Sequence, residues 1–237
     1  LKGEKNYSID DVEIGVNNPW ITDKRRKILL AIITEFKDVL GYEALPTPCN
    51  APEVELHPKD PKVQNVNCGP PTWAPETKEF LMQFRAQLES FGAIERASDT
   101  NIVTATCRVT LVLKKNGKEI RVCYDARPVN KILNNPSANF PNLMEMVQRA
   151  SRDCHYKTQL DFQSAYMQRV IAKKSRKYVG VWLPDEKGIP RRYTYVRMIW
   201  GLHASAGAMV DYIHNVMQQL DDDLQQRVAY YVDDVVI

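Results

Sequence analysis

The sequence predicts an α+β fold, with mixed and antiparallel strands carrying helices on one face. Three observations predict it. Two amphipathic helical stripes precede residue 93, alternating apolar residues from Val109 flank an Asn116-Gly117 pair, and a Val/Tyr-rich run surrounds Asp233-Asp234 at the C-terminal end. The chain's 237 residues suffice for one large domain, or for a medium domain with an appendage. Hydrophobic residues at 44% and charged residues at 26% are usual for a globular protein.

Residues 1–18 are polar and without period. After Thr22, Ile28, Ile32, Phe36 and Val39/Leu40 share a helical stripe that Gly41 should stop. Residues 43–71 hold half of the fourteen prolines and read as an extended linker. The expected organisation is an N-terminal connecting segment, 1–71, with one helix and the Pro-rich linker, followed by a main domain, 72–237. A second helix should start at Pro75, run through Phe80, Phe84 and Leu88, and end at Gly92.

Beyond Gly92 the period changes to two. Val109, Leu111 and Leu113, then Asn116-Gly117, then Ile120, Val122 and Tyr124 read as a hairpin with a two-residue turn. Residues 143–150 should be helical and 155–161 a strand ending at Asp161. Residues 177–183 and 191–198 read as a second hairpin around Pro184 to Pro190. A helix striped by Ala206, Val210, Ile213, Met217 and Leu220 should follow, and 228–237 should begin a strand–turn–strand.

The net charge of +3 excludes a polybasic tail binder and a disordered acidic chain. That small sum hides segregation. Residues 108–131 carry seven basic and two acidic side chains, 169–197 carry nine and two, and 216–237 carry one and five. Two basic blocks beside an acidic end suit a phosphate-handling cleft with metal-binding carboxylates, and the plain alternative is solvated faces. No apolar run approaches the ~20 residues of a membrane span, and no secretory h-region is visible, so neither a membrane partner nor secretion is expected. Five cysteines without a Cys-x-x-Cys pair, and four histidines without zinc spacing, read as reduced thiols of a cytosolic or nuclear protein.

Tyr231-Val232-Asp233-Asp234 is the sharpest chemical signal. Two adjacent carboxylates between β-branched flanks are costly unless they sit at a turn with a counter-ion. Leu160-Asp161 ends another strand-like run, with Tyr166 five residues on. One carboxylate on one strand and a pair on another can bridge two divalent cations about 4 Å apart, as in-line phosphoryl transfer requires. All-oxygen sites of this kind suit Mg²⁺.

Arg121-Val-Cys-Tyr-Asp125-Ala-Arg127-Pro-Val-Asn130-Lys131, Leu160-Asp161-Phe-Gln-Ser164-Ala165-Tyr166-Met-Gln168, Trp200-Gly201-Leu202 and Tyr231-Val-Asp233-Asp234 stand in an order that resembles a reverse transcriptase. More narrowly, they are similar to the Pol polyprotein of gypsy-class LTR retrotransposons and retroviruses, over roughly residues 72–237. Residues 20–71 more loosely resemble the segment between protease and polymerase.

The resemblance implies right-hand fingers and palm subdomains, incomplete at the C-terminus, and RNA-directed DNA polymerase activity on dNTPs with a primed RNA or DNA template. It implies two Mg²⁺ ions, replaceable by Mn²⁺, on Asp161, Asp233 and Asp234. Tyr166 would be the steric gate under the incoming sugar, with Trp200 packing on the nucleotide and the backbone of Ser164 and Ala165 near its phosphates. Arg121, with Lys114 or Lys115, would hold the triphosphate; period two sets Val112 opposite Arg121 and so favours Lys114. Arg127, Asn130 and Gly201 would position the template, with an Arg127–Asp125 scaffold pair as the alternative. Implied partners are the rest of the polyprotein (thumb, ribonuclease H and integrase), and the implied location is a cytoplasmic virus-like particle or the nucleus.

The chain departs from the family pattern at Ile199-Trp200-Gly201-Leu202-His203-Ala204-Ser205-Ala206, where Pro-Phe-Gly-Leu and a later proline are usual. It has no initiator Met and stops three residues after Asp234, which reads as a piece of something longer and as a poor enzyme in isolation. Two other readings stand beside the polymerase. One is a catalytically dead or domesticated remnant that binds nucleic acid or partners. The other is a different metal-dependent phosphotransferase or nuclease, which would need neither Tyr166 nor the basic hairpin.

Overall fold

The computed structural model describes residues 14, 18–37, 47–63, 66, 68–98, 103–113, 120–135, 140–151 and 157–237. It divides into two units, Leu1–Ala44 and Leu45–Ile237. In the first, α1 (Asp23–Glu35) starts where the Thr22 side chain accepts from the Arg25 N–H, a side-chain cap on an otherwise orphaned donor. The helix ends at Glu35 rather than at Gly41, and no α1 residue is buried. Val39, Leu40 and Gly41 lie outside the described residues.

The second unit begins inside the Pro-rich stretch. Residues 47–63 are not a free linker. Val54 N–H donates to the Val170 carbonyl at 2.7 Å, and Ala172 N–H donates to the Val54 carbonyl at 2.9 Å. Leu56 is 5% exposed, with its N–H on Ser175 Oγ at 2.9 Å. Prolines prevent a regular ladder, but an extended chain still offers carbonyls and the N–H groups between prolines to neighbouring backbone.

Helix α2 (Pro75–Ser90) opens with proline in its first turn and buries Leu81, Arg85 and Leu88. It leads to a five-stranded mixed sheet in the order β1-β6-β5-β2-β3. The strands are β1 (Ile94–Arg96), β2 (Thr106–Leu113), β3 (Ile120–Asp125), β5 (Gly180–Pro184) and β6 (Pro190–Tyr195). Strands β2 and β5 run parallel, and the other neighbours are antiparallel. Gly180 permits that parallel pairing, because a Cβ there would stand 2.3 Å from Val103 Cγ1 and 2.7 Å from the Ala105 carbonyl oxygen.

The β2–β3 register sets Val112 opposite Arg121, as the two-residue turn requires. Residues 114–119, which include Lys114, Lys115 and the turn, lie outside the described residues. The β5–β6 hairpin is tied by Asp185, whose Oδ1 accepts from the N–H groups of Lys187 and Ile189, both at 2.9 Å. Lys173–Tyr178 is a 3-10 helix, so this hairpin begins at Gly180 rather than at residue 177.

Short helix α3 (Arg127–Ile132) follows β3, and α4 (Leu143–Ala150) spans the residues expected. A second, three-stranded antiparallel sheet has the order β4-β8-β7, from β4 (Gln159–Asp161), β7 (Ala229–Tyr231) and β8 (Asp234–Val236). Helix α5 (His203–Met217) buries Met209, Val210, Ile213 and Met217. It stops three residues short of Leu220, and α6 (Asp222–Arg227) follows with Asp221 accepting from the Leu224 N–H at 2.8 Å. Asp221 to Asp223 are thus an N-cap and a first turn, where carboxylates meet the helix dipole.

Candidate active site

The carboxylates meet on the three-stranded sheet. In the β4–β8 pairing Asp161 stands opposite Asp234, and in the β7–β8 pairing Tyr231 stands opposite Asp234. Directly opposed residues share a face, so the register alone brings Asp161 and Asp234 to one side. Val232 and Asp233 form the turn between β7 and β8. Val232 has φ of 57°, left-handed and unfavourable for a β-branched residue, while Asp233 does not share it. The Phe162 N–H donates to the Asp233 carbonyl at 3.2 Å and ties the end of β4 to the turn.

Partial burial raises the Asp233 pKa above the ordinary carboxylate value, and the negative charges of Asp234 and Asp161 raise it further. Asp234 is exposed and accepts a hydrogen bond from Gln159 Nε2 at 3.2 Å. Among the described residues no group of three His, Cys, Asp or Glu side chains forms a ready-made metal cage. Asp161 and Asp233 are hard oxygen donors of the kind that can hold a divalent cation with waters and substrate phosphates supplying the rest.

After Asp161 the chain turns through Ser164, which is left-handed at φ 48° and ψ 40°, into a 3-10 turn, Ala165–Gln168. Ala165 is 4% exposed, packed with Met209, Ile213 and Val235, and leaves backbone rather than side chain at the site. Tyr166 is half-buried and touches both hydrophobic cores. Its hydroxyl pKa is raised by burial first and by the Asp233 charge second, which sets the phenol near that carboxylate. Trp200, 42% exposed, meets the Tyr166 ring edge-on, with centroids 6.2 Å apart and planes at 68°.

Arg121 is exposed on β3 opposite Val112, without an ion-pair partner among the described residues. Arg127 pairs with Asp125 through two bonds of 2.8 Å, Nε to Oδ1 and Nη2 to Oδ2. That fork holds the Asp125 pKa down at about 2. Arg127, Asp125 and Lys131 also line a surface concavity with Val66, Pro128 and Ile132. Asn130 donates from Nδ2 to the Gly201 carbonyl at 2.8 Å and accepts the His203 N–H on Oδ1 at 3.1 Å. Asp161, Tyr166, Trp200, Asp233 and Asp234 are therefore brought to one region, while Arg127 and Asn130 have protein partners.

The sequence reading passed over Gln159, beside Asp234, and over His214, whose Nδ1 lies 2.8 Å from the Tyr230 hydroxyl and links α5 to β7. Gln159 carried a signal, since it lies two residues before Asp161 and so on the same strand face. His214 carried none, because its partner comes from a different element.

Residues 112–237 match the family described as Reverse transcriptase (RNA-dependent DNA polymerase). Among curated proteins, none matches the sequence. A foamy viral protease-reverse transcriptase solved in complex with an RNA/DNA hybrid is similar in structure, with a TM-score of 0.72 and 17% identity over 97% of this chain and 28% of that one. A foamy viral protease-reverse transcriptase dRH in complex with double-stranded DNA gives 0.67 and 15%, over 92% of this chain and 35% of that one. The chain thus spans about a third or less of the length of those structures.

Proposed function

Because the chain belongs to the reverse transcriptase family, we propose that it forms the fingers and part of the palm of an RNA-directed DNA polymerase, transferring deoxynucleotides to a primer 3′ hydroxyl. The observation that carries this reading is the β4–β8 register, which sets Asp161 opposite Asp234 with Asp233 on the adjoining turn. Tyr166 lies within reach of the Asp233 charge and Trp200 meets the Tyr166 ring, and the nucleotide would lie against this pair. The motif order further favours a retrotransposon Pol polyprotein of the gypsy class. Thumb, ribonuclease H and integrase would then be its other parts, acting in a cytoplasmic particle or the nucleus.

Divalent cations, Mg²⁺ or Mn²⁺ and two by this reading, supply charge neutralisation for the nucleophile and the leaving phosphates when bound. Asp161 and Asp233 would hold them. Burial first, and the like charges of Asp234 and Asp161 after it, raise the Asp233 pKa, and a bound cation would relieve both. The Tyr166 ring would form the floor under the sugar, where a 2′ hydroxyl meets its edge. Arg121, with Lys114 or Lys115, would hold the triphosphate, and Arg127 with Lys131 would offer the template phosphates positive charge. A nucleic-acid duplex as partner agrees with the ligands of the two foamy viral structures.

The test is Asp233→Asn, measured on the longest polypeptide that carries this sequence with an oligo-primed RNA template. Incorporation should fall by more than about 100-fold, since misplacement of reacting groups alone costs that much. Primer–template binding should persist and weaken as salt rises. Incorporation by the variant at the unsubstituted rate removes Asp233 from the site.

A further inference from the structure

Asn130 lies on α3, 71 residues from Gly201 in sequence, yet both ends of its amide serve the loop 201–203. The Nδ2 bond to the Gly201 carbonyl and the Oδ1 bond from the His203 N–H engage one donor and one lone pair of the amide and fix its orientation on that loop. Gly201 has φ of 92°, which side-chain-bearing residues rarely adopt. A Cβ at Gly201 would stand 3.0 Å from the Tyr124 carbonyl oxygen and 3.6 Å from Ala126 Cβ. The loop is therefore pressed against the β3–α3 junction on one side and clamped by Asn130.

The clamped loop carries Trp200. Its large side chain is 42% exposed, and the Tyr166 ring is its aromatic partner. A side chain so little enclosed keeps one orientation only if its backbone is fixed, because ordering a rotamer-rich group costs entropy that few contacts return. Tyr166 in turn lies within electrostatic reach of Asp233. A continuous path runs from the Asn130 amide through Gly201 and Trp200 to the ring under the sugar.

We propose that Asn130 is a positioning residue for sugar selection. It holds Gly201 left-handed, keeps Trp200 against the Tyr166 edge, and so fixes the ring that excludes a 2′ hydroxyl. This rests on the polymerase reading of the site and departs from template contact as the role of Asn130. The competing role is purely structural. The His203 N–H opens α5, whose N-cap Leu202 offers no side-chain acceptor, and Asn130 supplies one from another helix.

The experiment compares kcat/KM for a deoxyribonucleotide and its ribonucleotide, on one primer–template, in Asn130→Ala, Tyr166→Ala and the double variant of the longest polypeptide carrying this sequence. Asn130→Ala should narrow the deoxy:ribo ratio about tenfold, the scale of two neutral hydrogen bonds. In the Tyr166→Ala background it should add nothing to that ratio, because it acts through Tyr166. A helix cap alone would lower both rates together and leave the ratio unchanged, and that result overturns the proposal, as do additive effects in the double variant.

Where Asn130→Ala fails to fold, Asn130→Asp serves: it keeps the acceptor for His203, loses the donor to Gly201, and should shift the ratio in the same direction. Should Tyr166→Ala itself leave the ratio unchanged, the gate reading falls. The clamp is then judged without catalysis, by acrylamide quenching of Trp200 read as the difference from Trp200→Phe. Asn130→Ala should raise that quenching, and unchanged quenching overturns the clamp.

Discussion

The two hydrophobic cores of the larger unit differ in kind. The core around the five-stranded sheet gathers twenty-three buried residues among those described, and the core beneath the three-stranded sheet gathers six. In the first, Tyr193, Tyr195, Val181 and Leu183 are fully buried, and the Tyr195 hydroxyl donates to Tyr124 at 2.6 Å. Arg85, also buried, pairs with Glu89 and Glu186. On the second sheet Leu160 and Asp234 are exposed, Val232 is left-handed, and three carboxylates converge. The scaffold is thick and enclosed, while the edge that carries the candidate site is thin, strained and like-charged. The candidate site sits where the fold tolerates unfavourable terms, and the larger core supplies the stability that tolerance requires.

The comparison breaks most plainly on core deletions. Leu183→Ala in the larger core should cost about 2–5 kcal/mol, and Met217→Ala, at the margin of the smaller one, should fall toward the lower end of that range. Denaturant midpoints at constant m-value measure both, and a greater loss for Met217→Ala would reverse the assignment of strength.

Strain at the edge gives the next effect. Val232→Asn, whose side chain tolerates left-handed backbone, should stabilise the chain by about 1 kcal/mol. A lower melting temperature in that variant would show that Val232 packing outweighs its backbone cost.

A smaller effect belongs to the Asp125–Arg127 fork, which holds Asp125 at about 2 in the folded chain. The unfolded carboxylate titrates near ~4. A depressed acid stabilises the fold above its unfolded value and loses that contribution as pH falls through its folded value. The melting-temperature difference between the protein and Arg127→Ala should be full at neutral pH, shrink below about pH 4, and close as pH approaches 2. A difference that persists at the acid end assigns Arg127 a role other than the pair.

The smallest effect concerns thiols. Cys107 is fully buried, and burial with the nearby Asp125 charge pushes its pKa up to about 12. Alkylation at neutral pH should therefore modify the half-buried Cys49, Cys68 and Cys123 before Cys107, read by mass spectrometry. Early modification of Cys107 would show that the larger core opens locally.

Charge arithmetic was the least legible part of the sequence. The basic block 169–197 suggested a phosphate surface, but Lys174 pairs with Glu55, Arg176 with Glu95 and Arg191 with Asp185. Arg169 and Arg197 donate to the carbonyls of Pro52 and Phe91. Most of these partners lie far along the chain, where no local pattern announces them. The Pro-rich stretch misled for the same reason: Leu56 is buried by elements more than a hundred residues away.

The sequence by itself determined what short-range rules govern. Strand alternation set the β2–β3 register, Pro75 and Thr22 opened their helices, and the tetrad around Asp233 put an acidic pair at a hairpin turn beside Asp161's strand. These follow from side-chain periods and backbone preferences that act within a few residues. Only the tertiary structure decided which cations are already paired, that Trp200 rests on Tyr166, and that Asn130 clamps Gly201. Apart from local pairs such as Arg191–Asp185 and Arg127–Asp125, those contacts join residues distant in sequence, such as Lys174 with Glu55 and Asn130 with Gly201. Their partners are chosen by packing in three dimensions rather than by any spacing along the chain.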